Sequence, residues 1–209
     1  MRPVPFSLIA ALAISNASCN GNAVLTPQPA EPEKQIDSPF AKDLLKAAAE
    51  YELWGRVDNE TRVAPMACSA PGPQPNPPQP HFSASKDETT HGRKLYFLFS
   101  KNRNDYLAIA KNKAAAVGQV IVKQSWIPEE VTDPKSGFKV LKAGKQGDLF
   151  VMMKLDPKTP GTDEGWVYAT LSSDGKKLTS AGKIESCMKC HQETKTDRLF
   201  GLQLAKESK

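Results

Sequence analysis

The stretch GQVIVKQSW, residues 118–126, has the composition of a buried β-strand, because β-branched residues fill its middle and an aromatic residue ends it. Successive side chains of a strand point to opposite faces, so Ile121, Lys123 and Ser125 share one face. A lysine with apolar neighbours in mid-strand must reach solvent, a carboxylate or a bound group. Lys123 is therefore a candidate site residue, and a snorkelling or ion-paired lysine is the alternative.

Three other segments have strand composition and place much of the chain in a sheet. They are KLYFLF at 94–99, DLFVMMKL at 148–155 and GWVYATL at 165–171. A hairpin turn on Asp174 and Gly175 is predicted after the last of them. ELWGRV, at 52–57, is interpreted as the start of a first strand.

Two segments space their apolar residues as a helix does. The first is predicted over residues 39–51, with Ser38 as N-cap and Pro39 at the first helical position. The second is NRNDYLAIAKNKAAA, which lies between two of the predicted strands. The predicted fold class is α+β, a mostly antiparallel β-sheet with flanking helices.

The first nineteen residues, MRPVPFSLIAALAISNASC, have the layout of a bacterial export signal, with an apolar run too short to anchor the chain in a bilayer. Cys19 follows Ala17 and Ser18 as the lipidated cysteine of a lipoprotein does, although Asn16 stands where that pattern prefers leucine. A plain cut after Ala17 is the alternative. Both predict a periplasmic or extracytoplasmic protein, and lipidation predicts membrane contact only through Cys19.

One globular domain is expected, because 209 residues are too few for two comfortable cores. Residues 20–37 are predicted to be a flexible tether and residues 38–209 to be the domain. A proline-rich insertion at residues 65–80 interrupts the domain, since neither a helix nor a central strand tolerates that density of proline. The net charge of +5 is spread along the chain, so the sequence has no basic cluster of the kind that binds nucleic acid.

The motif CMKCH, residues 187–191, is compatible with three chemistries. A structural zinc site needs four ligands, and the sequence has no second cysteine pair of this kind. A thioredoxin-type dithiol needs a βαβ context, which the strand pattern does not offer. A c-type haem needs two thiols followed directly by an imidazole, and the motif has them in that order. We predict one covalent haem c, with Cys187 and Cys190 as thioether anchors and His191 as the proximal iron ligand; a redox dithiol is the alternative.

Three stretches, in their order along the chain, resemble the cytochrome P-460 family, which includes cytochrome c′-beta. They are GQVIVKQSW, GWVYATL and CMKCHQETKTDRLF, and the similarity runs over residues 51–204. The resemblance implies an antiparallel sheet with flanking helices, a homodimer, a soluble redox partner, and a five-coordinate haem that binds or oxidises small nitrogen species such as nitric oxide or hydroxylamine. Lys123 stands where cytochrome P-460 proper has a lysine that is cross-linked to the haem. Whether the chain is an oxidoreductase or a binding protein stays open.

Several positions depart from the resemblance. Gln124 stands where the family stretch often has glutamate, and the proline-rich insertion that carries Cys68 and His81 has no counterpart in the best-known members. Cys68 is expected to pack as a small buried hydrophobe. His91 is a candidate distal residue, and a purely structural role is the alternative.

The alternative function is a six-coordinate c-type cytochrome that only transfers electrons, with His91 or a methionine as the sixth iron ligand. Met152 and Met153 are interpreted as core residues, one on each side of their strand. A third hypothesis is a tethered sensor or interaction module that uses the proline-rich insertion as its contact surface.

Overall fold

A six-stranded antiparallel sheet is the centre of the structure, a computed structural model that describes residues 36–57, 62–63, 94–109 and 113–201. The strands lie in the sheet in chain order, each antiparallel to the next. Their bounds are β1 (Arg62–Val63), β2 (Leu95–Ser100), β3 (Val120–Thr132), β4 (Lys139–Lys154), β5 (Trp166–Leu171) and β6 (Leu178–Gly182). The predicted α+β class and its antiparallel sheet are confirmed.

Several predicted features lie outside the described residues. They are the export signal with Cys19, most of the tether, the proline-rich insertion with Cys68, and the histidines His81 and His91. These expectations stay predictions from the sequence. Among the helices of the described residues, none has both the length and the apolar character that crossing a bilayer requires.

The two faces of the sheet carry separate apolar clusters, as the period of two in the strands predicts. Val122 and Met153 belong to the cluster that helix α1 (Ala41–Glu50) covers, whereas Ile121 and Met152 belong to the cluster on the opposite face. All four side chains are buried. The prediction that Met152 and Met153 are core residues on opposite sides is therefore confirmed. The face that carries Ile121 and Met152 is the site face.

The first helix lies close to its predicted bounds. α1 covers Ala41–Glu50, and a 3₁₀ helix, Tyr51–Trp54, continues it. The predicted cap residue contributes at its start, because the Ser38 hydroxyl accepts a hydrogen bond from the Phe40 N–H at 3.3 Å. The Ser38 carbonyl also accepts from the Ala41 N–H, at 3.0 Å. The helix nevertheless begins two residues later than predicted, at Ala41 with Phe40 as its N-cap, so the predicted cap Ser38 and first helical residue Pro39 lie in the turn before it.

The predicted strand start at residues 52–57 is wrong. Tyr51 is buried, and its ring meets that of Phe99 edge to face at 4.8 Å, which holds the segment as a helical turn against β2. Gly55 then adopts a φ of 74°, in the left-handed region that glycine reaches without steric cost. Arg56 makes only an isolated bridge with Phe99. Packing against β2 thus outweighs the strand propensity of this segment.

The second predicted helix is much shorter than its segment, because α2 covers only Arg103–Leu107. Residues 110–112 are not described. After them the Ala115 N–H donates to Asp197 Oδ2 at 2.8 Å instead of to a helical carbonyl. A tertiary hydrogen bond to the C-terminal segment therefore competes with the helix that the apolar spacing predicts.

Strands β3 and β4 run well past their predicted ends and form a hairpin arm that closes between residues 132 and 139. The outer half of this arm is exposed and charged, so it lacks the alternation by which a half-buried strand is recognised. Lys139 pairs there with Glu130 across the strands at 2.5 Å. Cross-strand pairing of this kind stabilises a ribbon that buries little apolar surface.

Candidate functional site

The CMKCH motif forms the last helix of the described structure, α3 (Glu185–His191), directly after β6. Cys187, Cys190 and His191 are spaced by three and four residues, which places them on one side of a helix. Glu185 and Lys189 form an exposed ion pair on the helix, with 2.9 Å between Lys189 Nζ and Glu185 Oε1. The helix therefore has a charged outer side and a side that carries the motif.

Cys187 and His191 face a cleft on the site face that is open in part to solvent. Strand residues form its other wall: Ile121, Lys123, Phe150, Val151, Met152, Tyr168 and Ala169. The structure thus brings Lys123 together with Cys187 and His191, although they come from distant segments.

The His191 imidazole is buried between two aromatic rings. Its centroid lies 5.6 Å from that of Tyr168 and 5.1 Å from that of Phe200. Burial lowers the pKa of His191 to about 4, and the nearby positive charge of Lys123 lowers it further in the same direction. The ring is therefore neutral at pH 7, which is the form that binds a metal ion.

The tautomer of His191 follows from its bond to the backbone. Nδ1 lies 2.6 Å from the carbonyl oxygen of Arg198. A carbonyl only accepts hydrogen bonds, so Nδ1 must carry the proton and Nε2 the lone pair. An imidazole oriented by a backbone carbonyl through its Nδ1–H and offering Nε2 is the usual arrangement of a metal-ligating histidine. The environment of His191 thus fits the axial role predicted for it.

Lys123 is partly buried on β3, and its Nζ lies 5.9 Å from the centre of the Tyr96 ring. In the described part of the chain no carboxylate pairs with this ammonium group. Burial lowers its pKa to about 8, opposed in part by the Cys187 thiol. Roughly a tenth of Lys123 is then a neutral amine at pH 7, which is able to accept a proton or to act as a nucleophile.

The two cysteines of the motif differ in state. Cys187 is a free thiol, half-buried in the cleft, and burial raises its pKa. Cys190 is disulfide-bonded. Attachment of a haem through two thioethers consumes both thiols, so the Cys190 disulfide must be reduced before a second thioether forms. The donor set of Cys187, Cys190 and His191 fits a c-type haem under that condition.

Gln124, the departure from the family pattern, lies away from the cleft. Its side chain is buried on the α1 face, where Nε2 donates to the Tyr51 hydroxyl at 2.8 Å and lies 3.3 Å from Glu52 Oε1. Trp126 Nε1 donates to its Oε1 at 3.3 Å. The glutamine at this position therefore bonds the 3₁₀ helix to β3 and is not part of the wall of the cleft.

Some residues of the site were missed by reasoning from the sequence. Tyr168 could have been found, because period-two alternation in GWVYATL places it on the face of Trp166. Its hydroxyl donates to Asp163 Oδ2 at 2.9 Å. Asp163 and Arg198 together hold the segment that contacts His191. No spacing or motif in the sequence indicates that these two residues belong to the site. Of the other predicted site residues, His91 lies outside the described residues and Met152 lines the cleft.

The family model described as Cytochrome P460 matches residues 80–200 of the chain. The chain belongs to the cytochrome P-460 family. No curated protein matches it. The matched range includes β2 to β6, α3 and the whole described wall of the cleft. Membership in the cytochrome P-460 family implies a haem cofactor and a c-type cytochrome, and the cleft under α3 is where the described residues offer the donors for it.

Proposed function

We propose that this chain is an exported cytochrome P-460 protein with one haem c, attached to Cys187 and Cys190 and ligated by His191, and that the iron binds or oxidises small nitrogen species. Nitric oxide and hydroxylamine are the candidate ligands. The observation that carries the proposal is that Lys123, a partly buried lysine with no counter-ion among the described residues, lines the same cleft as Cys187 and His191.

Bound haem would supply the ligand-binding iron and one-electron transfer. The chain's own residues supply the rest. His191 offers a neutral, oriented imidazole, since its Nδ1–H donates to the Arg198 carbonyl. The apolar side chains of Ile121 and Phe150 line the cleft and limit the access of water. Small uncharged ligands are the ones that such a wall admits at least desolvation cost.

Lys123 has two roles in this proposal. As a neutral amine it accepts a proton from a nitrogen ligand such as hydroxylamine, and the lowered pKa makes that form accessible near neutral pH. The same amine is a nucleophile, which supports a covalent link between Lys123 and the cofactor. His91 is retained as a candidate distal residue on the basis of the sequence.

The proposal includes location and partners, which rest on the sequence and on the family. The protein would be periplasmic or extracytoplasmic, anchored by lipid on Cys19, and it would form a homodimer and exchange electrons with a soluble redox partner. These features are testable separately from the chemistry of the cleft. Mass spectrometry of the mature N-terminus determines whether Cys19 is lipidated.

An optical titration of the reduced protein with nitric oxide tests the main proposal. High-spin bands that shift on addition of nitric oxide are expected, together with a haem mass that survives denaturation. Lys123→Ala should change the Soret band if the covalent link exists, whereas Lys142→Ala, on the exposed part of the hairpin arm, should leave the spectrum unchanged. A non-covalent haem, or no response to nitric oxide, would contradict the proposal.

A six-coordinate electron carrier is the second candidate, because Met152 also lines the cleft. Thioether sulfur is a common sixth ligand of c-type haem. In that case the reduced protein should show sharp low-spin α and β bands and no response to nitric oxide. Met152→Leu should then convert the spectrum to high spin. The same substitution should have little effect on the spectrum if the first proposal is correct.

A further inference from the structure

The carbonyl that orients His191 belongs to a backbone segment of unusual conformation. Asp197 and Arg198 are consecutive non-glycine residues with φ values of 50° and 67°, in the left-handed region. Such residues persist where surrounding contacts determine them strongly. The Arg198 carbonyl points at Nδ1 of His191 from this segment, at 2.6 Å. The question is therefore which contacts hold the segment in place.

The side chain of Arg198 forms a two-point ion pair with Asp163. Nε lies 3.2 Å from Oδ2 and Nη2 lies 3.1 Å from Oδ1, with side-chain exposures of only 17% and 5%. A fork of this kind fixes the direction of the guanidinium as well as its position. Asp163 also accepts from the Tyr168 hydroxyl at 2.9 Å and from Gln192 Nε2 at 3.1 Å. We call the Asp163 carboxylate and the Arg198 guanidinium the Asp163–Arg198 clamp.

The neighbouring residue is held by a second, buried ion pair. Lys154 Nζ lies 2.9 Å from Asp197 Oδ2, and the two side chains are 3% and 10% exposed. Asp197 Oδ2 also accepts from the Ala115 N–H, and Lys154 Nζ donates to the Glu164 carbonyl at 2.9 Å. The Asp197 side chain is thus tied to β4, and the Arg198 side chain to the turn before β5.

We propose that the Asp163–Arg198 clamp positions the Arg198 carbonyl and thereby selects the His191 tautomer with the proton on Nδ1. Asp163 and the Arg198 side chain are positioning residues in this sense, because neither touches the ring nitrogens. The clamp also contacts the imidazole indirectly. The Tyr168 hydroxyl donates a hydrogen bond to Asp163, and the Tyr168 ring packs against the His191 ring. The proposal deepens the proposed function, since it matters for chemistry only if His191 Nε2 is the iron ligand.

The tautomer ratio of His191 in the full-length, haem-free chain tests the clamp directly. Histidine labelled with ¹⁵N reports which ring nitrogen carries the proton, and the spectrum of His191→Gln identifies the His191 signals. The wild-type ring should be protonated on Nδ1. In Asp163→Asn and in Arg198→Lys the ratio of Nδ1–H to Nε2–H should fall about fivefold, the factor that one hydrogen bond of about 1 kcal/mol supplies.

Glu164→Gln is the matched control. It removes the charge of the ion pair between Arg198 Nη1 and Glu164 Oε2, which is 3.0 Å long and has a 70% exposed carboxylate side chain, and it leaves the Asp163 fork intact. The wild-type ratio should be retained. An unchanged ratio in both clamp variants, or an equal fall in Glu164→Gln, would overturn the proposal.

The haem-loaded protein offers a second readout if a haem-free variant does not fold. A hydrogen bond from Nδ1–H makes the imidazole a stronger electron donor to iron. The iron–histidine stretching frequency of the reduced protein should therefore fall in both clamp variants and stay unchanged in Glu164→Gln. An unchanged frequency in both clamp variants overturns the proposal. If the protein binds no haem, the proposed function fails, while the tautomer ratio still decides whether the clamp acts on His191.

Discussion

Lys123 and His191 line one cleft from different elements, and the charge of the lysine lowers the pKa of the imidazole beside the larger effect of burial. The pKa of Lys123 is lowered to about 8 and that of His191 to about 4, with burial as the first cause in both. Charging either group therefore carries a desolvation cost. The cleft favours uncharged nitrogen atoms, the forms that ligate iron and attack as nucleophiles.

The lowered pKa of Lys123 should be visible in its chemical reactivity. Labelling of the haem-free protein with an amine-selective reagent, followed by peptide mass spectrometry, should show Lys123 reaching half of its maximal rate near pH 8. In the chain unfolded in urea the same residue should need a pH near 10.4, the unperturbed value. The unfolded chain is thus an internal control, and equal midpoints in the two states would refute the buried environment of Lys123.

Burial of neutral His191 should make the stability of the haem-free protein depend on pH. The folded-state pKa of about 4 is below the unfolded value, so the unfolded chain binds the proton first as pH falls. The contribution is fully present above about pH 6.5 and is lost as pH falls towards 4; it amounts to about 3 kcal/mol at most.

Urea unfolding between pH 7 and pH 4 measures this contribution. His191→Gln should remove most of the slope that the imidazole causes, whereas His81→Gln, a control at a histidine with no predicted role at the haem, should keep it. The expectation does not hold if the wild type and His191→Gln lose the same free energy of unfolding across that range.

The disulfide state of Cys190 should separate the two cysteines of the motif in an alkylation experiment. Without reductant the haem-free, folded protein should be alkylated at Cys187 and protected at Cys190; after reduction and unfolding both should react. Trypsin cuts after Lys183, Lys189 and Lys195, which places Cys187 and Cys190 on different peptides of one digest. Alkylation of Cys190 before reduction would show that the disulfide does not form in solution.

Gln124→Glu, which restores the residue common in the family stretch, should destabilise the fold without changing the haem spectrum. A carboxylate at this position would be buried beside Glu52, whose Oε1 lies 3.3 Å from the present amide nitrogen. The buried carboxylate would be repelled by that of the exposed Glu52 and would lose the amide's hydrogen bond to Tyr51, so a loss of about 1–3 kcal/mol in the free energy of unfolding is expected. Denaturant unfolding measures the loss, and Glu52→Gln in the same chain should recover part of it. A change in the haem spectrum of Gln124→Glu would contradict the expectation that position 124 does not affect the cleft.

The alternation of side chains along each strand predicted which face of the sheet a residue occupies. Period-two alternation placed Ile121 and Lys123 on one face and separated Met152 from Met153, because a strand's pleat determines the side of each residue. The same reasoning failed for the segment at 52–57 and for most of the second helix, where contacts of Tyr51 with Phe99 and of Ala115 with Asp197 outweigh propensity.

By itself, the sequence predicted the cofactor chemistry of this protein, because CMKCH places two thiols and an imidazole on one side of a short helix. Only the tertiary structure decided what surrounds that imidazole. Lys123, Asp163 and Arg198 reach His191 through the register of β3, the turn before β5 and the left-handed segment after α3. No local period relates these positions, since contacts between distant residues depend on how the strands pair and where the chain turns.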